Sequence, residues 1–452
     1  MNLKRHLVNA DCYTDLRSQE HNIATVRFVN GLINENSQSR VIGSCARAFR
    51  RGRWGFACCP YSDQEALATL VVKASRNAFS LSSISPGKLK DIPPSPGYVV
   101  RNTEPSPISP KEALDFLPYI DAKLIKGFER LSSRSISYSQ SIEKVQLATS
   151  DKGERETHIE RILLSFSFTL DGEQGRFVLH RKYWDRRKIC SFIRSPELLI
   201  EELTDLYEEL IQKSEGAPPI AGIHECILGS SLTGILAHEA IGHTVESDFV
   251  RAGSKAGDFL GKTIASPLIT LVDFAFEYLG QPCPMPVFMD EEGIVARDAI
   301  IIDHGVLKTF LHNRESAALF GVDPAGNGRA VQFKQEPLIR MRNTAILPVN
   351  NELAEMIASI EKGYYLMDYS NGQADMTGEF MFSVNRGYEI VNGKLGKAIH
   401  DTTVSGIAFD MLKTVSAVSD RMEWTSSGCG KKYGITVGMG GPDLKCRLRI
   451  GG

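Results

Sequence analysis

The run LTGILAHEAIGHTVESDF, residues 232–249, places His238, Glu239 and His243 inside an apolar, helix-forming segment. Two imidazoles beside a carboxylate suggest a metal site. Zinc proteases commonly carry two His four residues apart on one helix face, with Glu directly after the first His. Here the two His are five residues apart, and on a straight α-helix this turns the second imidazole about 140° away from the first. An undistorted helix could not chelate a metal with both.

A distortion of this helix would restore the alignment of the two imidazoles. A single π-type turn absorbs one extra residue, and an unwound final turn would do the same. Gly242, immediately before the second His, lowers the cost of either arrangement because glycine is conformationally free. The motif therefore predicts a distorted helix. The alternative interpretation is a polar helix end with two ordinary His, and the pair His224-Glu225 indicates how easily a bare His-Glu pair arises.

Length and composition limit the class of protein. A chain of 452 residues with 42% hydrophobic side chains can bury two or three cores. Its 52 basic and 54 acidic side chains balance, which argues against a nucleic-acid partner. The first 15 residues contain no apolar signal segment, and no run approaches the roughly 18 to 20 apolar residues of a membrane span. Nine scattered cysteines without a CxxC pair indicate reduced thiols, so we expect a soluble cytoplasmic protein with no membrane contact.

The first half of the chain begins with strand patterns. Residues 22–59 alternate in short runs that are separated by an Asn-Gly pair at 30–31 and an Arg-Gly pair at 51–52. These turns predict an antiparallel meander. Ser62 with Glu65 predicts a capping box, so a helix should follow the meander.

The rest of the first half alternates between strands and helices. Residues 81–110 are rich in Ser and Pro, which predicts a long surface connection. Residues 111–131 have a helical pattern, and further strand-like segments follow. A last helix should begin at Ser195-Pro196 and end near Gly216. Its buried face would consist of Leu199, Leu203, Leu206 and Leu210.

The second half begins after APPIAG at 217–222, which follows a complete α/β pattern and is the best domain linker. Beyond the His-bearing helix the chain is mostly short β-runs with turn glycines, and NELAEMIASI and GIAFDMLKTVSAV are interposed helices. We expect one large, mainly antiparallel sheet there. The predicted fold class is α+β. It comprises an N-terminal α/β domain with an antiparallel sheet at residues 1–216 and a C-terminal β-rich catalytic domain with the metal-binding helix at residues 223–452.

A catalytic zinc normally takes three protein ligands and one water molecule, so a third ligand must come from elsewhere in the chain. Cys429 is the best candidate. Its neighbours Gly428 and Gly430 allow close backbone approach, and Lys431 and Lys432 would favour the thiolate. Three other candidates have simpler interpretations, as a buried small hydrophobe or as surface residues of a hairpin: Cys446, His304 and His312.

Eight stretches distributed along the chain carry a family resemblance. They are VIGSCARAFRRGRWGFA, HEAIGHTVESD, GKTIAS, DEEGIVARDAIIIDHGVLKTFLHNRESA, GNGRA, RMRNT, SNGQADMTGEF and GCGKKYGITVGMGGP. As a set they resemble the TldD/PmbA family of metalloproteases. That family has an active TldD type with HExxxH and a partner type without it, and this sequence keeps the motif.

The resemblance implies a function and a set of roles. One Zn²⁺ per catalytic subunit would be held by His238, His243 and Cys429, and Glu239 would be the base that activates water. The substrate would be a short or unstructured peptide, cleaved in the enclosed cavity of a homodimer or of a heterodimer with a partner subunit that lacks the motif. Residues 1–216 would form the dimer contact and the cavity wall.

Some features leave alternatives open. Glu246 and Asp248 are candidates to accept hydrogen bonds from imidazole N–H groups, and a solvated helix end is an equally simple interpretation. TVES at 244–247 and YG at 433–434 depart from the family pattern, which concerns substrate preference more than catalysis. A metal-dependent amidase of small molecules and a non-catalytic, metal-stabilised partner subunit are the rival functions. The presence of Glu239 argues against the second, because binding alone needs no general base.

Overall fold

A computed structural model describes residues 2–7, 12–94 and 96–451. Seven strands lie in the first half: β1 Tyr13–Val29, β2 Leu32–Arg50, β3 Arg53–Cys59, β4 Gly97–Asn102, β5 Ser133–Thr149, β6 Gly153–Gly172 and β7 Gly175–Tyr183. Four α-helices accompany them: α1 Gln64–Ile84, α2 Pro110–Gly127, α3 Arg186–Arg194 and α4 Pro196–Ser214. A short 3₁₀ turn spans Lys4–His6.

These strands form one sheet in the order β3-β2-β1-β5-β6, with β4 and β7 paired along different parts of β6. The predicted meander is confirmed, and its two turns have left-handed backbone at Asn30-Gly31 and Arg51-Gly52. However, β1 starts nine residues before the predicted strand. Its early part carries the buried side chain of Arg17, which donates to the carbonyl oxygens of Gln332 and Gln335. Such a buried polar residue hides the strand alternation in the sequence.

The start of α1 corrects one prediction. Its N-cap is Asp63, whose carboxylate accepts from the Ala66 backbone N–H, and not Ser62. The Ser62 hydroxyl instead lies 3.0 Å from the Ser18 hydroxyl and 2.9 Å from that of Ser44. The local sequence predicts that Ser62 caps the helix. Because long-range hydrogen bonds to the sheet engage its hydroxyl, Ser62 does not do so.

The remaining predictions for the first half are confirmed with one change. The helices α2 and α4 lie where the pattern placed them, and the four predicted Leu side chains of α4 are buried. The stretch 81–110 is more than a surface connection, because it contributes β4, which pairs in parallel with β6. A parallel partner more than fifty residues away leaves no local turn signal.

The described residues of the second half form seventeen further strands. They are β8 Gly222–Leu228, β9 Leu271–Phe274, β10 Glu277–Tyr278, β11 Gln281–Pro282, β12 Ala299–Asp303, β13 Val306–Leu307, β14 Gly328–Arg329, β15 Leu338–Ile339, β16 Asn343–Ile346, β17 Lys362–Ala374, β18 Glu379–Val391, β19 Lys394–Ala398, β20 Thr402–Ile407, β21 Ala417–Val418, β22 Glu423–Lys431, β23 Tyr433–Gly441 and β24 Leu444–Ile450.

Five short α-helices also lie in this half: α5 Ser230–Ile235, α6 Ser247–Arg251, α7 Arg314–Phe320, α8 Leu353–Ala358 and α9 Ala408–Lys413. A π-helical turn spans Leu236–Gly242, and 3₁₀ turns span His243–Val245 and Lys255–Phe259. Within the described ranges, no helix combines the length and the apolarity needed to cross a bilayer.

The second half has two main sheets, so the prediction of one large sheet was wrong. A six-stranded sheet has the order β13-β12-β9-β16-β23-β22, and a seven-stranded sheet has the order β17-β8-β24-β20-β18-β19 with β21 beside β24. Most pairs are antiparallel, but β8–β17 and β16–β23 are parallel. The π-helical turn packs against strands of both sheets. This turn is buried on nearly every side and lies between the two sheets, which the sequence does not distinguish. The α+β class with a β-rich second half is confirmed.

The contact between the two halves is rich in buried ion pairs. Arg47 pairs with Glu292 at 2.9 Å, and Arg155 pairs with Glu291 at 2.7 Å. All four side chains are at least nine-tenths buried. Removing one member of such a pair leaves an uncompensated buried charge, so these pairs fix how the halves fit together.

A buried imidazole in the second half gives a pH prediction. His312 packs between the rings of Phe310 and Phe320, and burial lowers the pKa of this His to about 4. The unfolded chain takes up a proton near pH 6.5 and the folded chain does not, so this residue should lower the free energy of unfolding by up to about 3 kcal/mol as the pH falls from about 6.5 to 4. His312→Gln should reduce the loss of thermal stability between pH 7 and 5. His304→Gln, at an exposed site, is the control, and equal pH dependence in all three proteins would contradict the prediction.

Candidate metal centre

The His-bearing segment is a distorted helix, as the His spacing predicts. The chain leaves α5 into the π-helical turn Leu236–Gly242 and then into the 3₁₀ turn His243–Val245. The wider π turn accommodates the extra residue. As a result the rings of His238 and His243 face the same region, with centroids 5.1 Å apart.

Gly242 serves packing rather than backbone freedom. Its φ of −56° and ψ of −46° are ordinary helical values that any residue adopts. A Cβ atom there would lie 1.9 Å from the sulfur of Met341. The glycine is therefore required because Met341 occupies the space of a side chain.

Cys429 reaches the same region from the other side. It lies on β22 opposite Ile435 of β23, near the end of the hairpin that these strands form. Its Sγ atom is 3.2 Å from His243 Nε2, and the ligand atoms of His238, His243 and Cys429 all lie within 4.8 Å of one another. The structure thus brings the three predicted ligands together. The other candidates stay apart: Cys446 lies on β24 and His304 is exposed.

The buried His238 ring tests whether these residues fit a metal. This residue is 1% exposed, and neither ring nitrogen has a hydrogen-bond partner within the described part of the chain. Burial, together with the neighbouring His243 and Arg340, lowers the pKa of His238 well below its usual value. A neutral, buried imidazole without a partner is costly, and a metal ion would complete its coordination. Two imidazoles and a thiol also form a ligand set that zinc favours.

When no metal is present, a proton on His243 supplies positive charge at this centre. Burial lowers the pKa of His243, but hydrogen bonds to the Cys429 sulfur and to the Glu246 carboxylate raise it to about 10. Metal ligands must be deprotonated, so metal binding at this centre should release a proton.

Glu239 lies beside two of the three candidate ligands, His238 and His243. Its Oε2 atom is 3.6 Å from His243 Nε2, and its Oε1 atom is 4.0 Å from His238 Nε2. Burial raises the pKa of Glu239, the neighbouring His243 opposes this, and Glu246 adds to the rise. A carboxylate with a raised pKa is suited to accept and return a proton.

A second layer of charges supports His243. Glu246 Oε2 lies 3.1 Å from His243 Nδ1, and Lys431 Nζ lies 2.9 Å from the same carboxylate oxygen. Asp248 pairs with Lys431 at 2.7 Å rather than with an imidazole. Lys431 is therefore directed at these carboxylates, and the exposed Lys432 adopts a left-handed turn conformation at the hairpin end.

We expect Glu246→Gln and Lys431→Met each to weaken zinc binding by about ten- to a hundredfold, because the imidazole loses its charged orienting partner or that partner loses its counter-ion. Competition with a chromophoric chelator would measure the affinity. Lys432→Met is the matched control, since it removes the same charge from the next residue. Equal affinities in all four proteins would mean that the second layer has no effect on the metal.

Two further residues at the centre escaped prediction from the sequence. Burial raises the pKa of Tyr369 to about 12, a hydrogen bond with Ser427 opposes this, and the nearby Glu239 adds to the rise. The Tyr hydroxyl is thus neutral and can donate a hydrogen bond. The guanidinium of Arg340 donates to the carbonyl oxygens of Cys429, Lys431 and Tyr433 and so holds the hairpin end.

Both residues lie far from the motif in sequence. Tyr369 follows a register shift in the β17–β18 pairing, and such irregularities redirect side chains in a way that alternation does not reveal. Arg340 lies in RMRNT, one of the family-like stretches, and this was the only signal for it in the sequence.

Comparisons with known proteins agree with this geometry. The PmbA/TldA metallopeptidase C-terminal domain matches residues 221–452, and domain 1 of the same family matches residues 14–78. The metalloprotease TldD homolog of Buchnera aphidicola is 30% identical, over 97% of this chain and 92% of that protein. The zinc metalloprotease TldD homolog of Saccharolobus solfataricus is 32% identical over 55% of this chain and 56% of its own length.

The fold has solved counterparts as well. TldE from Thermococcus kodakarensis superimposes with a TM-score of 0.78 over 100% of this chain and 99% of that one, at 18% identity. This likeness concerns the fold, whereas the sequence matches cover the His-bearing segment and nearly the full length. The chain therefore belongs to the TldD/PmbA family of metallopeptidases.

Proposed function

We propose that this protein is a zinc-dependent peptidase that hydrolyses short or unstructured peptides. His238, His243 and Cys429 would hold one zinc ion, and Glu239 would be the general base. The observation that carries the proposal is the buried His238 ring, whose nitrogens have no partner within the described residues and face a second imidazole and a thiol. The zinc metalloprotease name of the Saccharolobus solfataricus relative supports the choice of metal.

The roles of the side chains follow from their positions. When bound, the zinc ion supplies Lewis-acid chemistry, which makes water more acidic and a peptide carbonyl more electrophilic. Glu239 Oε2 would take the proton from the attacking water molecule and pass it to the nitrogen of the leaving amine. Tyr369, held neutral, would donate a hydrogen bond to the carbonyl oxygen as it gains charge. Glu246 would keep His243 oriented.

We also propose a division of labour between two domains, residues 1–216 and 223–452. The hydrophobic cores support it, since one surrounds the metal centre and others lie within the first half. The first domain would provide a dimer contact and a cavity wall. The structural likeness to TldE supports a partner of the same fold, in a homodimer or a heterodimer. Because a metal-binding Cys429 must stay reduced, we place the protein in the cytoplasm.

The peptide would bind as an added strand. Two strand borders near the metal centre support this: β22 is the edge strand of the six-stranded sheet, and beyond Leu366 β17 pairs with β18 alone among the described strands. Arg340 already occupies the carbonyl oxygens of Cys429 and Lys431, so the available part of β22 lies before Cys429. Backbone pairing of this kind reads extended conformation rather than side chains.

A single sequence offered in two forms tests the proposal. We expect cleavage of the sequence as a free peptide and no cleavage when it is held inside a stable folded host, because a folded segment cannot pair its backbone with the enzyme. Mass spectrometry would identify the products, and chelator should abolish them. Equal cleavage of both forms would contradict strand addition in an enclosed site. Cleavage that persists with chelator would contradict metal dependence.

A further inference from the structure

A cavity lies where the two halves of the chain meet, and we call it the seam cavity. Its volume is about 740 Å³. Residues of β5 and β6 form one wall, and residues 281–287 with the β22–β23 hairpin form another. The hairpin contributes Trp424 and Ser426, which lie on the opposite face of β22 from Cys429 because side chains alternate along a strand. None of His238, Glu239, His243 and Cys429 lines the seam cavity, although Ile435, which pairs with Cys429 across the β22–β23 hairpin, does.

A buried guanidinium with few hydrogen bonds lines the seam cavity. Arg329 is 8% exposed, and among the described residues its one side-chain hydrogen bond is a long one, 3.4 Å from Nη1 to the Met341 carbonyl oxygen. Its Nε atom has no partner within the described residues. Burial lowers the pKa of Arg329 to about 10, and the nearby Glu291 offsets this in part. A buried guanidinium in this condition lacks the anion that usually accompanies it.

Two further guanidinium nitrogens of the wall lack acceptors. Arg161 Nε and Arg186 Nη2 are buried without partners in the described parts of the chain, although Arg161 Nη1 pairs with Glu143 at 3.4 Å. The neighbouring carboxylates are already engaged: Glu143 accepts from Arg161 and Gln19, Glu160 accepts from a backbone N–H and a side-chain amide, and Glu291 accepts from Arg155 and a backbone N–H. The unmet requirement is for acceptors, which an anionic ligand would supply.

The lining of the seam cavity combines polar and apolar residues. Exposed residues at its mouth include Asp185, Arg187 and Gln281, whereas Arg329 is buried. Its apolar lining includes Ile159, Ile162, Trp184, Pro284 and Val287. The volume is in the range of about 300 to 1,000 Å³ that holds small organic ligands.

We propose that the seam cavity binds a carboxylic acid with a small apolar or aromatic body, with the carboxylate on Arg329 and the body against the apolar lining. Arg161 and Arg186 would add donors along the path from the mouth. A guanidinium matches a carboxylate with two parallel hydrogen bonds, which a neutral amide cannot reproduce. This site does not depend on the proposed peptidase activity.

Isothermal titration calorimetry of the full-length, metal-loaded protein tests the site. The probes are N-acetyl-L-phenylalanine, its amide, and 3-phenylpropionate. We expect the acetylated acid to bind at least tenfold more tightly than the amide, and Arg329→Met to weaken it at least tenfold. Arg176→Met removes an equal charge from an exposed site outside the cavity and should change nothing. Should Arg329→Met fail to fold, Arg186→Met and the comparison of acid with amide still decide.

Three results would overturn the proposal. They are equal binding of acid and amide, unchanged binding of the acid in both cavity variants, and loss of acid binding when a chelator removes the metal, because the acid would then sit on the metal. Persistent, Arg329-dependent binding supports it. In that case 3-phenylpropionate distinguishes the source: binding as tight as that of the acetylated acid indicates a free carboxylic acid, and weaker binding indicates a peptide C-terminus.

Discussion

Glu239→Gln is expected to keep its zinc and to lose peptide hydrolysis by roughly a hundredfold or more. The amide has nearly the shape of the carboxylate but cannot take a proton from water. Glu239 is proposed as the base and not as a ligand, and its carboxylate lies 3.6 Å from His243 Nε2 and 4.0 Å from His238 Nε2. Removing its charge should therefore leave the metal in place. The measurements are kcat/KM on an unstructured peptide and zinc content by mass spectrometry of the purified protein.

The chain offers a matched control for this variant. Glu225 also follows a His, but its side chain is 47% exposed and lies on β8. Glu225→Gln should hydrolyse peptides at the normal rate. Normal hydrolysis by Glu239→Gln would falsify the proton-transfer role, and loss of zinc from it would indicate that Glu239 is a ligand instead.

Cys429→Ala is expected to lose both zinc and activity, because the thiolate is one of the three proposed ligands and the remaining two imidazoles would bind the ion far more weakly. The loss of zinc should be nearly complete after gel filtration, and hydrolysis should fall to the level seen with chelator. The fold should persist, since the Cys429 carbonyl oxygen, which Arg340 binds, is retained in alanine.

Cys446→Ala provides the comparison. Cys446 is also buried, at 1% exposed, but it packs on β24 away from the three ligand atoms. This change should lower thermal stability and leave zinc content unaltered. If Cys429→Ala retained a full equivalent of zinc, the ligand set proposed above would be wrong.

The sequence predicts the metal centre better than its surroundings. A five-residue spacing between two His allows few helical geometries that can chelate, so a distorted helix followed from helix geometry, with either a π turn or an unwound final turn. Cys429 depended on its glycine neighbours and on the family resemblance, because residues 186 positions apart in the chain leave no local signal. Tyr369 reaches the centre through an irregular β-sheet pairing, and Arg340, just after β15, reaches it through hydrogen bonds to the β22–β23 hairpin; only the folded chain reveals either.

The errors in the predicted fold have the same origin. Ser62 was a sound cap by local rules, but its hydroxyl forms hydrogen bonds with Ser18 and Ser44, and Asp63 caps the helix instead. The second half was read as one sheet because its strands look alike in sequence. What separates them is the nearly fully buried π-helical turn, and its neighbours come from strands far along the chain.

The π turn also determines whether the motif could bind a metal when it is moved into another protein. A regular helix that carries two His four residues apart can hold a metal by its own local geometry. Such a segment can therefore still bind a metal in another protein. A π turn is intrinsically unfavourable and persists only where its surroundings impose it. In this chain those surroundings include Met341 against Gly242 and strands of two sheets. HEAIGH is therefore not a module. The metal binding proposed for it depends on the whole second half, and the same sequence in a regular helix of another protein would place its two His on different faces.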